Sequence, residues 1–475
     1  MTVEMVADMS VLYLLTIIVS CILVINYFVI KQVRKCRVRR TGGLTVGIFH
    51  PYCNAGGGGE KVLWCAIRAL QQKYDNVDIV VYTGDIEVTP DEILNLAARR
   101  LNTPLPRSVK FIYLQTRSLV EAGKYPVCTL LGQSLGSVVL GAEAMWRYLP
   151  DVYIDTMGYA FTLPLFSWIG GCKVGCYVHY PTITSDMLRR VSDRIEAHNN
   201  RAVFARSPTL TAIKLLYYRA FAWLYRTAGG SADIVMVNSS WTKGHILDLW
   251  QRQDTTHLVY PPCDILPLRL LDHRETDEVR IVSLGQFRPE KDHPLQVRAF
   301  QIVKSKVSPD VWSKVKLVLI GSCRDAQDEA RVEAIRQLVE DLSVTSNVEF
   351  KVNISFDELK EQFSLGTVGL HTMWNEHFGI GIVECMAAGL VMLAHRSGGP
   401  KLDIVEEEES SRTGFLAETA EEYADVIVRI INTPSNELDN IRKAARKSVE
   451  RFSIDSFEEK FLSVINPLLE TKKTN

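Results

Sequence analysis

The sequence predicts an α/β protein made of two Rossmann-like halves that follow a membrane-spanning segment. Short apolar runs of strand length alternate with helical patterns along the chain, which is typical of β-α-β folds. This alternation is interrupted once, by the pair Pro261 and Pro262 and a charged stretch that continues to about Val279. An uncharged run between Met9 and Ile30 precedes the first alternating segment. These three observations define the fold class and the order of its parts.

The composition is that of a large, nearly neutral protein with extensive buried cores. Its 475 residues are enough for two or three domains, and 47% of them are hydrophobic. A net charge of −1 argues against general nucleic-acid binding. The ten cysteines show neither a CxxC motif nor a zinc-like His/Cys spacing, which favours buried thiols in a reducing compartment.

The apolar N-terminal segment has the length of one bilayer span. Residues 11–30 are dominated by Leu, Ile and Val, and twenty helical residues span about 30 Å. Six basic residues follow directly, and the positive-inside rule places such a flank in the cytosol. They are Lys31, Arg34, Lys35, Arg37, Arg39 and Arg40. A cleaved signal peptide is the alternative, but its basic start and small closing residues are missing. We expect residues 1–40 to form a lumenal tail, an uncleaved anchor and its basic flank.

Two series of strand-like runs define the two halves. The first series lies at 44–49, 77–82, 109–113, 152–156, 174–178 and 234–238. The second lies at 281–285, 316–321, 348–352, 368–371 and 391–394. We therefore expect one Rossmann-like domain over 41–265, a second over 266–450, and a terminal amphipathic helix within 451–475.

One helical segment in the first half, residues 207–226, is rich in aromatic and basic side chains. Ser207 and Pro208 suit the cap and the first position of a helix. Its charged residues are all basic, namely Lys214, Arg219 and Arg226. This composition fits a helix at a membrane interface, which the predicted anchor favours, and a helix packed on the sheet is the alternative. The sequence leaves both interpretations open.

The run EHFGIGIVE contains the strongest chemical signal in the second half. It places Glu376 and Glu384 eight positions apart around Phe378, Gly379 and Ile380. A helix that begins near Gly379 would present backbone N–H groups to an anion, and carboxylates accept hydrogen bonds from sugar hydroxyls. The alternative is a buried helix start with two ion-paired or solvated carboxylates.

A glycine-rich loop follows the first predicted strand and leads into a helical pattern. Its candidate residues are Gly57, Gly58, Gly59 and Glu60. A strand, a glycine-rich turn and a helix start form a cradle for an anion, so we predict a phosphate loop. The loop matches neither the GxGxxG nor the Walker pattern. A tight turn without a ligand is the alternative.

Two further groups of polar residues follow predicted strands. His179 comes directly after the run 174–178, where it could bind a sugar hydroxyl or could be a structural histidine. Gln286, Arg288 and Lys291 follow the first strand of the second half. Positive side chains there could neutralise a diphosphate, or they could form a surface pair.

These motifs occur in the order found in one enzyme family. The run from Glu376 to Glu384 resembles the Glu-x7-Glu signature of retaining nucleotide-sugar glycosyltransferases of the GT-B class, which have two facing Rossmann-like domains. The glycine-rich loop, His179, Lys291 and the later Ser397–Pro400 loop are similar to further elements of this family, and Arg451-Phe452-Ser453 resembles the start of its terminal crossover helix. The resemblance covers about residues 44–470.

The resemblance implies a role for each candidate in the second half. Glu376 would hold the donor sugar and Glu384 the ribose, beside the backbone at Phe378, Gly379 and Ile380. The family pattern also has the Ser397–Pro400 loop beside the nucleotide.

The same resemblance implies that Lys291 neutralises the leaving diphosphate and that His179 contacts the donor sugar. With Glu376 they are the candidate catalytic residues. The family has an arginine at the position of Gln286, and Arg288 lies two positions later, so the second phosphate contact is open between them.

Within the family, the anchor and the strings AGGGGEKVLW and YVHYPT resemble a subgroup of dolichol-pathway mannosyltransferases. This implies GDP-mannose as donor, a dolichol diphosphate-linked oligosaccharide as acceptor, and two successive α-1,2 transfers onto a trimannosyl core. It also implies the cytosolic face of the endoplasmic reticulum membrane, other mannosyltransferases of the pathway as partners, and no metal or other cofactor. A transferase with another lipid-linked acceptor and a noncatalytic nucleotide-sugar-binding scaffold are the alternatives.

Overall fold

The computed structural model describes residues 43–100, 103–187, 208–272, 274 and 276–470, and it divides into two compact units. The first unit extends to Met236 and includes His245–His257 and the chain from Leu462 onward, whereas the second comprises Val237–Gly244 and Leu258–Phe461. The predicted anchor and its basic flank lie outside the described residues. Within the described ranges, no helix is both long enough and apolar enough to cross a bilayer.

The first unit contains a seven-stranded sheet with the strand order β3-β2-β1-β4-β5-β6-β7. Its strands are β1 Leu44–Phe49, β2 Val77–Thr83, β3 Lys110–Tyr113, β4 Val152–Asp155, β5 Lys173–Val178, β6 Ile234–Val237 and β7 Thr256–Leu258. Its helices are α1 Gly58–Lys73, α2 Pro90–Arg100, α3 Thr129–Arg147, α4 Pro208–Gly229 and α5 Ser240–Trp250, of which α5 begins in the second unit and ends in the first.

The strand order of the first sheet reverses between β1 and β4, which pair in parallel. In parallel α/β sheets, ligands bind beyond the carboxyl ends of the strands at such a reversal. His50 follows β1, Thr156 follows β4 and His179 follows the next strand, β5. The fold therefore places these three polar residues at the edge where a ligand is expected.

The second unit contains a six-stranded parallel sheet with the order β10-β9-β8-β11-β12-β13. Its strands are β8 Val279–Leu284, β9 Val315–Gly321, β10 Val348–Val352, β11 Val368–Leu370, β12 Val391–His395 and β13 Gly414–Ala417. Its helices are α6 Leu266–Arg269, α7 His293–Lys306, α8 Pro309–Ser313, α9 Ala326–Asp341, α10 Phe356–Leu365, α11 Ile380–Ala388, α12 Ala420–Asn432, α13 Ser435–Ser448 and α14 Ile454–Leu469, which begins in this unit and ends in the first.

Alternate residues of β8 show why this sheet is buried on both faces. Ile281 lies opposite Leu317 and Val368 and belongs to one hydrophobic cluster, whereas the next residue, Val282, belongs to another. Because successive strand residues point to opposite faces, a continuous apolar run fits a sheet covered by helices on both sides. The order of this sheet reverses between β8 and β11, so the loops after these two strands meet.

The strands agree closely with the sequence prediction. Each of the eleven predicted runs forms a strand whose ends lie within two residues of the predicted ones. Strands β7 and β13 lie outside these runs, because each lies at a sheet edge and, with three and four residues, is too short to show a period. Helix α4 extends three residues beyond the predicted segment, to Gly229.

Candidate active site

An ion pair joins the loops that follow β8 and β11. Lys291 Nζ donates a hydrogen bond of 2.5 Å to Glu376 Oε2. The two side chains are 23% and 13% exposed, so a ligand can reach the pair although it is largely buried. The structure thus brings together two candidates that are 85 positions apart in the sequence.

Two further donors hold the Glu376 carboxylate. His371 Nε2 lies 3.1 Å from Oε2, and the backbone N–H of His377 donates to Oε1 at 3.2 Å. Burial by itself raises the pKa of Glu376, but the hydrogen bond from His371 and the charge of Lys291 outweigh it and hold that pKa well below its usual range. The carboxylate is therefore ionised at neutral pH and fixed in position.

Buried polar side chains lie behind this pair. Thr372 Oγ1 donates to the backbone carbonyl of Lys291 at 2.8 Å and accepts a hydrogen bond from Gln296 Nε2 at 2.9 Å. The ring of His293 stacks on Phe287, with centroids 4.9 Å apart. Burial, together with the nearby Lys291, lowers the pKa of His293 to about 4, so this histidine is neutral at pH 7. These contacts fix the backbone that carries Lys291.

Helix α11 begins beside Glu376 with an uncapped N-terminus. Its cap residue, Gly379, has a φ of 113°, and a Cβ there would lie only 2.8 Å from Ile382 Cδ1. Neither a side-chain cap nor an acidic residue is present in the first turn. The helix start therefore keeps its positive dipole end and N–H groups for an anion. Glu384 lies in the second turn and is half-buried.

The side chain of Phe378 serves the core and not the ligand. It is buried against the rings of Tyr260 and Phe452, with centroids 5.7 Å and 5.1 Å away. Ile380 is partly buried and packs on the same hydrophobic cluster. Phe378 and Ile380 are both candidates for binding the nucleotide-sugar donor. Because its side chain is buried, Phe378 can contact such a substrate only through its backbone.

The loop Ser397–Pro400 fastens the backbone that carries Glu376. The N–H of Gly399 donates to the Glu376 carbonyl at 2.8 Å, and Ser397 Oγ accepts from the N–H of Asn375 at 2.7 Å. A Cβ on Gly398 would lie 2.3 Å from the Glu376 carbonyl oxygen, so only glycine allows this approach. The loop therefore has a structural reason for its glycines that requires no nucleotide.

The structure directs Arg288 and Lys291 to different carboxylates. Arg288 is 39% exposed, and its guanidinium lies 3.9 Å from Glu290, whereas Lys291 contacts Glu376. Gln286 is half-buried, and its carbonyl accepts from the N–H of Arg288 at 2.7 Å. The choice between Gln286 and Arg288 as a phosphate contact stays a prediction.

The first unit brings the glycine-rich loop and His179 together. His179 Nε2 donates to the carbonyl of Thr156 at 3.0 Å, and a Cβ on Gly59 would lie 3.8 Å from this nitrogen. The Thr156 hydroxyl donates to the carbonyl of Phe49 and accepts from His50 Nδ1 at 2.8 Å. The carboxyl ends of β1, β4 and β5 thus form one polar cluster.

The helix start in this loop carries its own anion. Glu60 Oε2 accepts the N–H of Gly57 at 2.7 Å in a capping box, and its side chain is buried. Burial raises the pKa of Glu60, but the nearby His50, 3.9 Å away, and the backbone hydrogen bonds outweigh it, so the net shift of the pKa is downward. A phosphate at the predicted loop of Gly57, Gly58 and Gly59 would meet this charged carboxylate. The predicted phosphate role stays untested, and the geometry favours a neutral ligand.

Several residues of these two clusters were not singled out from the sequence. They are His50, Asp155 and Thr156 in the first unit, and His293, Gln296, His371 and Thr372 in the second. Asp155 accepts the N–H groups of Met157 and Gly158, and its complete burial raises its pKa to about 7. The sequence did contain a signal for three of these site residues. His50, Asp155 and His371 are polar residues at the ends of buried strands.

Two family models match separate parts of the chain. A model described as the ALG11 mannosyltransferase N-terminus matches residues 43–250, and one described as glycosyl transferases group 1 matches residues 272–448. The chain is thus recognised as a glycosyltransferase.

Solved structures with similar folds include other glycosyltransferases. A glycosyltransferase from Rickettsia africae has a TM-score of 0.62 and 15% identity, with 91% of this chain and 100% of that chain covered. Sucrose-phosphate synthase from Thermosynechococcus elongatus has a TM-score of 0.62 and 18% identity, with 90% and 99% covered. At this identity the likeness shows the fold alone, which is GT-B, as predicted.

Curated relatives match over nearly the whole chain. Proteins named GDP-Man:Man(3)GlcNAc(2)-PP-Dol alpha-1,2-mannosyltransferase are 52% identical in Xenopus laevis, covering 96% of both chains, and 55% identical in Homo sapiens, covering 90% of this chain and 87% of the relative. The relative of the same name from Caenorhabditis elegans is 43% identical, covering 87% and 89%. At these identities and coverages, the chain belongs to the family of GDP-Man:Man(3)GlcNAc(2)-PP-Dol alpha-1,2-mannosyltransferases.

Proposed function

We propose that this chain transfers mannose from GDP-mannose to a dolichol diphosphate-linked oligosaccharide and adds two α-1,2-linked mannoses in succession to its trimannosyl core. The observation that carries the proposal is the Lys291–Glu376 pair beside the uncapped start of α11. It combines a positive site for a diphosphate with a fixed carboxylate for sugar hydroxyls. The relatives' names supply the sugar, the linkage and the acceptor.

The donor would bind along the loops after β8 and β11. Its diphosphate would meet the N–H groups at the start of α11 and the ammonium group of Lys291. Glu384, in the second turn of this helix, would accept hydrogen bonds from the ribose hydroxyls, and Glu376 from the mannose hydroxyls. Such preorganised positive groups stabilise the charge that develops on the diphosphate as the anomeric bond breaks.

Donor binding would exchange the partners of the ion pair. Without a donor, Lys291 and Glu376 neutralise each other. With a donor, the lysine would turn to the phosphate, and the carboxylate would bind the hydroxyls of the sugar. The site thus keeps both charged groups hydrogen-bonded in either state, which avoids the cost of a buried charge without a partner.

The reaction would proceed with retention by attack on the face from which the diphosphate leaves. The bond from the anomeric carbon to the phosphate oxygen breaks, and a bond to the acceptor oxygen forms. The acceptor's hydroxyl proton passes to the departing phosphate, so no protein nucleophile is assigned. His179 would contact the donor mannose, as the family resemblance implies.

We propose that no metal ion takes part, because Lys291 and the start of α11 supply the positive charge. Within the parts of the chain that the structure describes, no group of three or more His, Cys, Asp or Glu could hold a metal. Full turnover in EDTA is the expected outcome. A loss of activity that added magnesium or manganese restores would contradict it.

The function is tested with purified protein, GDP-mannose and dolichol diphosphate-linked oligosaccharides that end in two, three or four core mannoses. We expect transfer to the trimannosyl and tetramannosyl acceptors and release of the new residues by an α-1,2-mannosidase. Glu376→Gln, which should retain only a small fraction of the activity, is the control. Transfer to a phosphoinositide or another lipid-linked sugar instead would favour the second acceptor class, and binding of GDP-mannose without turnover would favour a scaffold.

We also propose that the first unit rests on the membrane that holds the acceptor. Helix α4 buries Tyr218, Phe221 and Tyr225 on one side and exposes Ile213, Leu216 and Trp223 on the other. It therefore packs on the unit and still presents apolar side chains outward, so the two interpretations of this segment are compatible. Exposed Arg219 and Arg226 lie on the same helix and suit an anionic lipid surface.

The helix α3, which touches α4, carries further exposed apolar side chains. The N–H of Leu131 donates to the Tyr217 hydroxyl of α4 at 3.2 Å, so the two helices touch. On α3, Leu135, Val139 and Trp146 are exposed, and their spacing puts them on one side of the helix. We call these three residues with Ile213, Leu216 and Trp223 of α4 the apolar face. An apolar, aromatic surface of this kind fits the boundary between lipid head groups and acyl chains.

Vesicle flotation of a chain lacking residues 1–40 tests this placement. The truncated protein should bind vesicles that contain anionic lipid. Replacing Trp146 and Trp223 with Gln should release it, whereas Phe356→Gln, an exposed aromatic residue of the second unit, should not. Replacing Lys214, Arg219 and Arg226 with Gln should also weaken binding, since each basic residue near such a surface adds about 1 kcal/mol. If the truncated protein ignores vesicles, residues 11–30 alone would hold it at the membrane.

The cytosolic orientation at the endoplasmic reticulum rests on the basic flank of the predicted anchor. Of the two glycosylation sequons at Asn238 and Asn353, only the second can report it. Asn238 is buried, and Ser240 of its sequon donates to Asp403 at 2.6 Å, whereas Asn353 is exposed. We expect Asn353 to stay unmodified in cells. A glycosidase-sensitive mobility shift that Asn353→Gln abolishes would reverse the orientation.

A further inference from the structure

Two donors of different rigidity share one oxygen of the Glu376 carboxylate. Lys291 Nζ and His371 Nε2 both contact Oε2, at 2.5 Å and 3.1 Å. Lys291 ends a flexible four-carbon chain that is partly exposed. His371 is buried directly after β11. Its backbone N–H donates to the Leu393 carbonyl, and its backbone carbonyl accepts from the buried Tyr423 hydroxyl at 3.0 Å. Of these two hydrogen-bond donors, only Lys291 can move away from the carboxylate.

The hydrogen-bond pattern assigns the tautomer of His371. An ionised carboxylate only accepts hydrogen bonds, so Nε2 must carry a proton. The other ring nitrogen, Nδ1, is buried and has no hydrogen-bond partner among the described residues. A proton there would lack an acceptor, which favours the neutral ring with its proton on Nε2. His371 therefore offers Glu376 a fixed donor without adding a charge to the site.

We propose that His371 is the positioning residue that keeps Glu376 ionised and oriented toward the donor sugar while Lys291 turns to the diphosphate. This proposal rests on the proposed function, because it requires the exchange of the lysine between carboxylate and phosphate. Without His371, departure of Lys291 would leave Glu376 largely buried with the N–H of His377 as its remaining protein donor among the contacts described above. The carboxylate would then turn away or take up a proton, and it would lose its hold on the sugar.

Two substitutions separate this role from a structural one. His371→Gln can place an amide N–H near the position of Nε2, whereas His371→Leu has similar bulk and no donor. We expect His371→Leu to lower kcat/KM for GDP-mannose about tenfold or more, since a hydrogen bond to a charged group is lost. His371→Gln should recover most of that loss. If the leucine variant does not fold, His371→Asn, whose shorter amide cannot reach Oε2, replaces it.

The affinity for GDP separates the positioning role from a structural defect, because a structural defect would lower this affinity and the loss of positioning would not. GDP lacks the mannose, so its dissociation constant, measured by calorimetry on the intact protein, should change less than about twofold in these variants. Tyr423→Phe is the matched control, because it removes the hydrogen bond to the His371 carbonyl and leaves the imidazole in place. It should lower the melting temperature without a comparable loss of kcat/KM.

A double variant shows whether His371 acts through Glu376. His371→Leu combined with Glu376→Gln should be no less active than Glu376→Gln alone, because residues that act as a unit are not additive. Full activity of His371→Leu beside a crippled Glu376→Gln would overturn the positioning role and leave the proposed function standing. A parallel loss of GDP affinity would also overturn it, and full activity of Glu376→Gln would overturn both proposals.

Discussion

The two units share one topological arrangement but differ in the charge found at the helix start near the strand-order reversal. In each, the strand order reverses beside a central strand, and a glycine-containing loop leads into a helix near that reversal. In the first unit the start of α1 is capped by the buried carboxylate of Glu60. In the second, the start of α11 has neither a side-chain cap nor an acidic residue in its first turn, and Lys291 lies nearby.

This difference shows that a glycine-rich helix start is not by itself a phosphate site. The four glycines after β1 look like the stronger phosphate loop in sequence, but their helix dipole is already balanced by Glu60. The dipole of α11 is unbalanced and points to the loop that carries Glu376. We therefore expect the second unit to bind the diphosphate and the first unit to present histidines and backbone groups to uncharged hydroxyls.

The largest expected effect comes from removing the positive side chain of the second unit. Lys291→Ala should lower kcat about a hundredfold or more, because loss of one preorganised group that stabilises developing charge costs about this much. Its effect on the dissociation constant of GDP-mannose should be smaller, because the charge develops after binding. Single-turnover kinetics with the trimannosyl acceptor measure both quantities.

A lysine on the surface of the same unit provides the control for this prediction. Lys360→Ala removes a salt bridge to the exposed Asp357 and should leave kcat unchanged. A normal kcat for Lys291→Ala would show that the diphosphate is neutralised elsewhere, with Arg288 as the next candidate. In that case Lys291 would not be the residue that distinguishes the second unit as the diphosphate site.

A smaller effect is expected from Glu384 in α11. Glu384→Ala should weaken both GDP and GDP-mannose about tenfold or more, because a charge-assisted hydrogen bond to ribose contributes about 1.5–3 kcal/mol. Both ligands should suffer equally, since both contain the ribose. A variant that loses GDP-mannose affinity and keeps GDP affinity would place Glu384 at the sugar instead.

The second-unit site was largely predictable from the sequence because its motif is continuous. Glu376, Gly379 and Glu384 lie within nine residues, and the helix begins where the glycine indicates, with Gly379 as its cap. Strand positions were predictable for a similar reason, since buried parallel strands are near-continuous apolar runs. Local patterns were sufficient wherever the chemistry is local.

Other features depend on contacts that the sequence pattern does not show, even between residues that are close in sequence. His371 meets Glu376 only because the chain turns back after β11, and the capping role of Glu60 requires a helix that starts at Gly58. Composition could not decide whether α4 packs on the sheet or contacts the membrane, because one side of the helix is buried in the unit and the other side exposes apolar residues. Burial and hydrogen-bond partners decide these cases, and the sequence pattern contains neither.

A further prediction concerns the pH dependence of stability in the second unit. The pKa of Glu376 in the fold lies below its ordinary value of 4.5, so the ionised carboxylate stabilises the fold at neutral pH. This contribution is lost as the pH falls below about 4.5 toward the pKa of the folded state. The melting temperature should therefore fall less between pH 7 and about pH 4 in Glu376→Gln than in the original protein. Parallel melting profiles would contradict the assignment of a charged, paired carboxylate.

The smallest expected effect tests the first unit directly. Glu60→Gln keeps an acceptor for the N–H of Gly57 and removes the negative charge from the start of α1. If the glycine-rich loop bound the diphosphate, this change should tighten GDP binding about twofold to fivefold, because charge at a helix start contributes about 0.3–1 kcal/mol. We expect instead that the dissociation constant of GDP stays the same.

Glu60→Ala completes the test, because it removes the cap along with the charge. It should destabilise the first unit by about 1 kcal/mol, measured as a lower melting temperature, without changing GDP affinity. A stable Glu60→Gln variant with tighter GDP binding would show that both helix starts attract phosphate. The electrostatic contrast between the units would then be one of degree, and the four glycines of the first unit would regain a direct part in binding the donor.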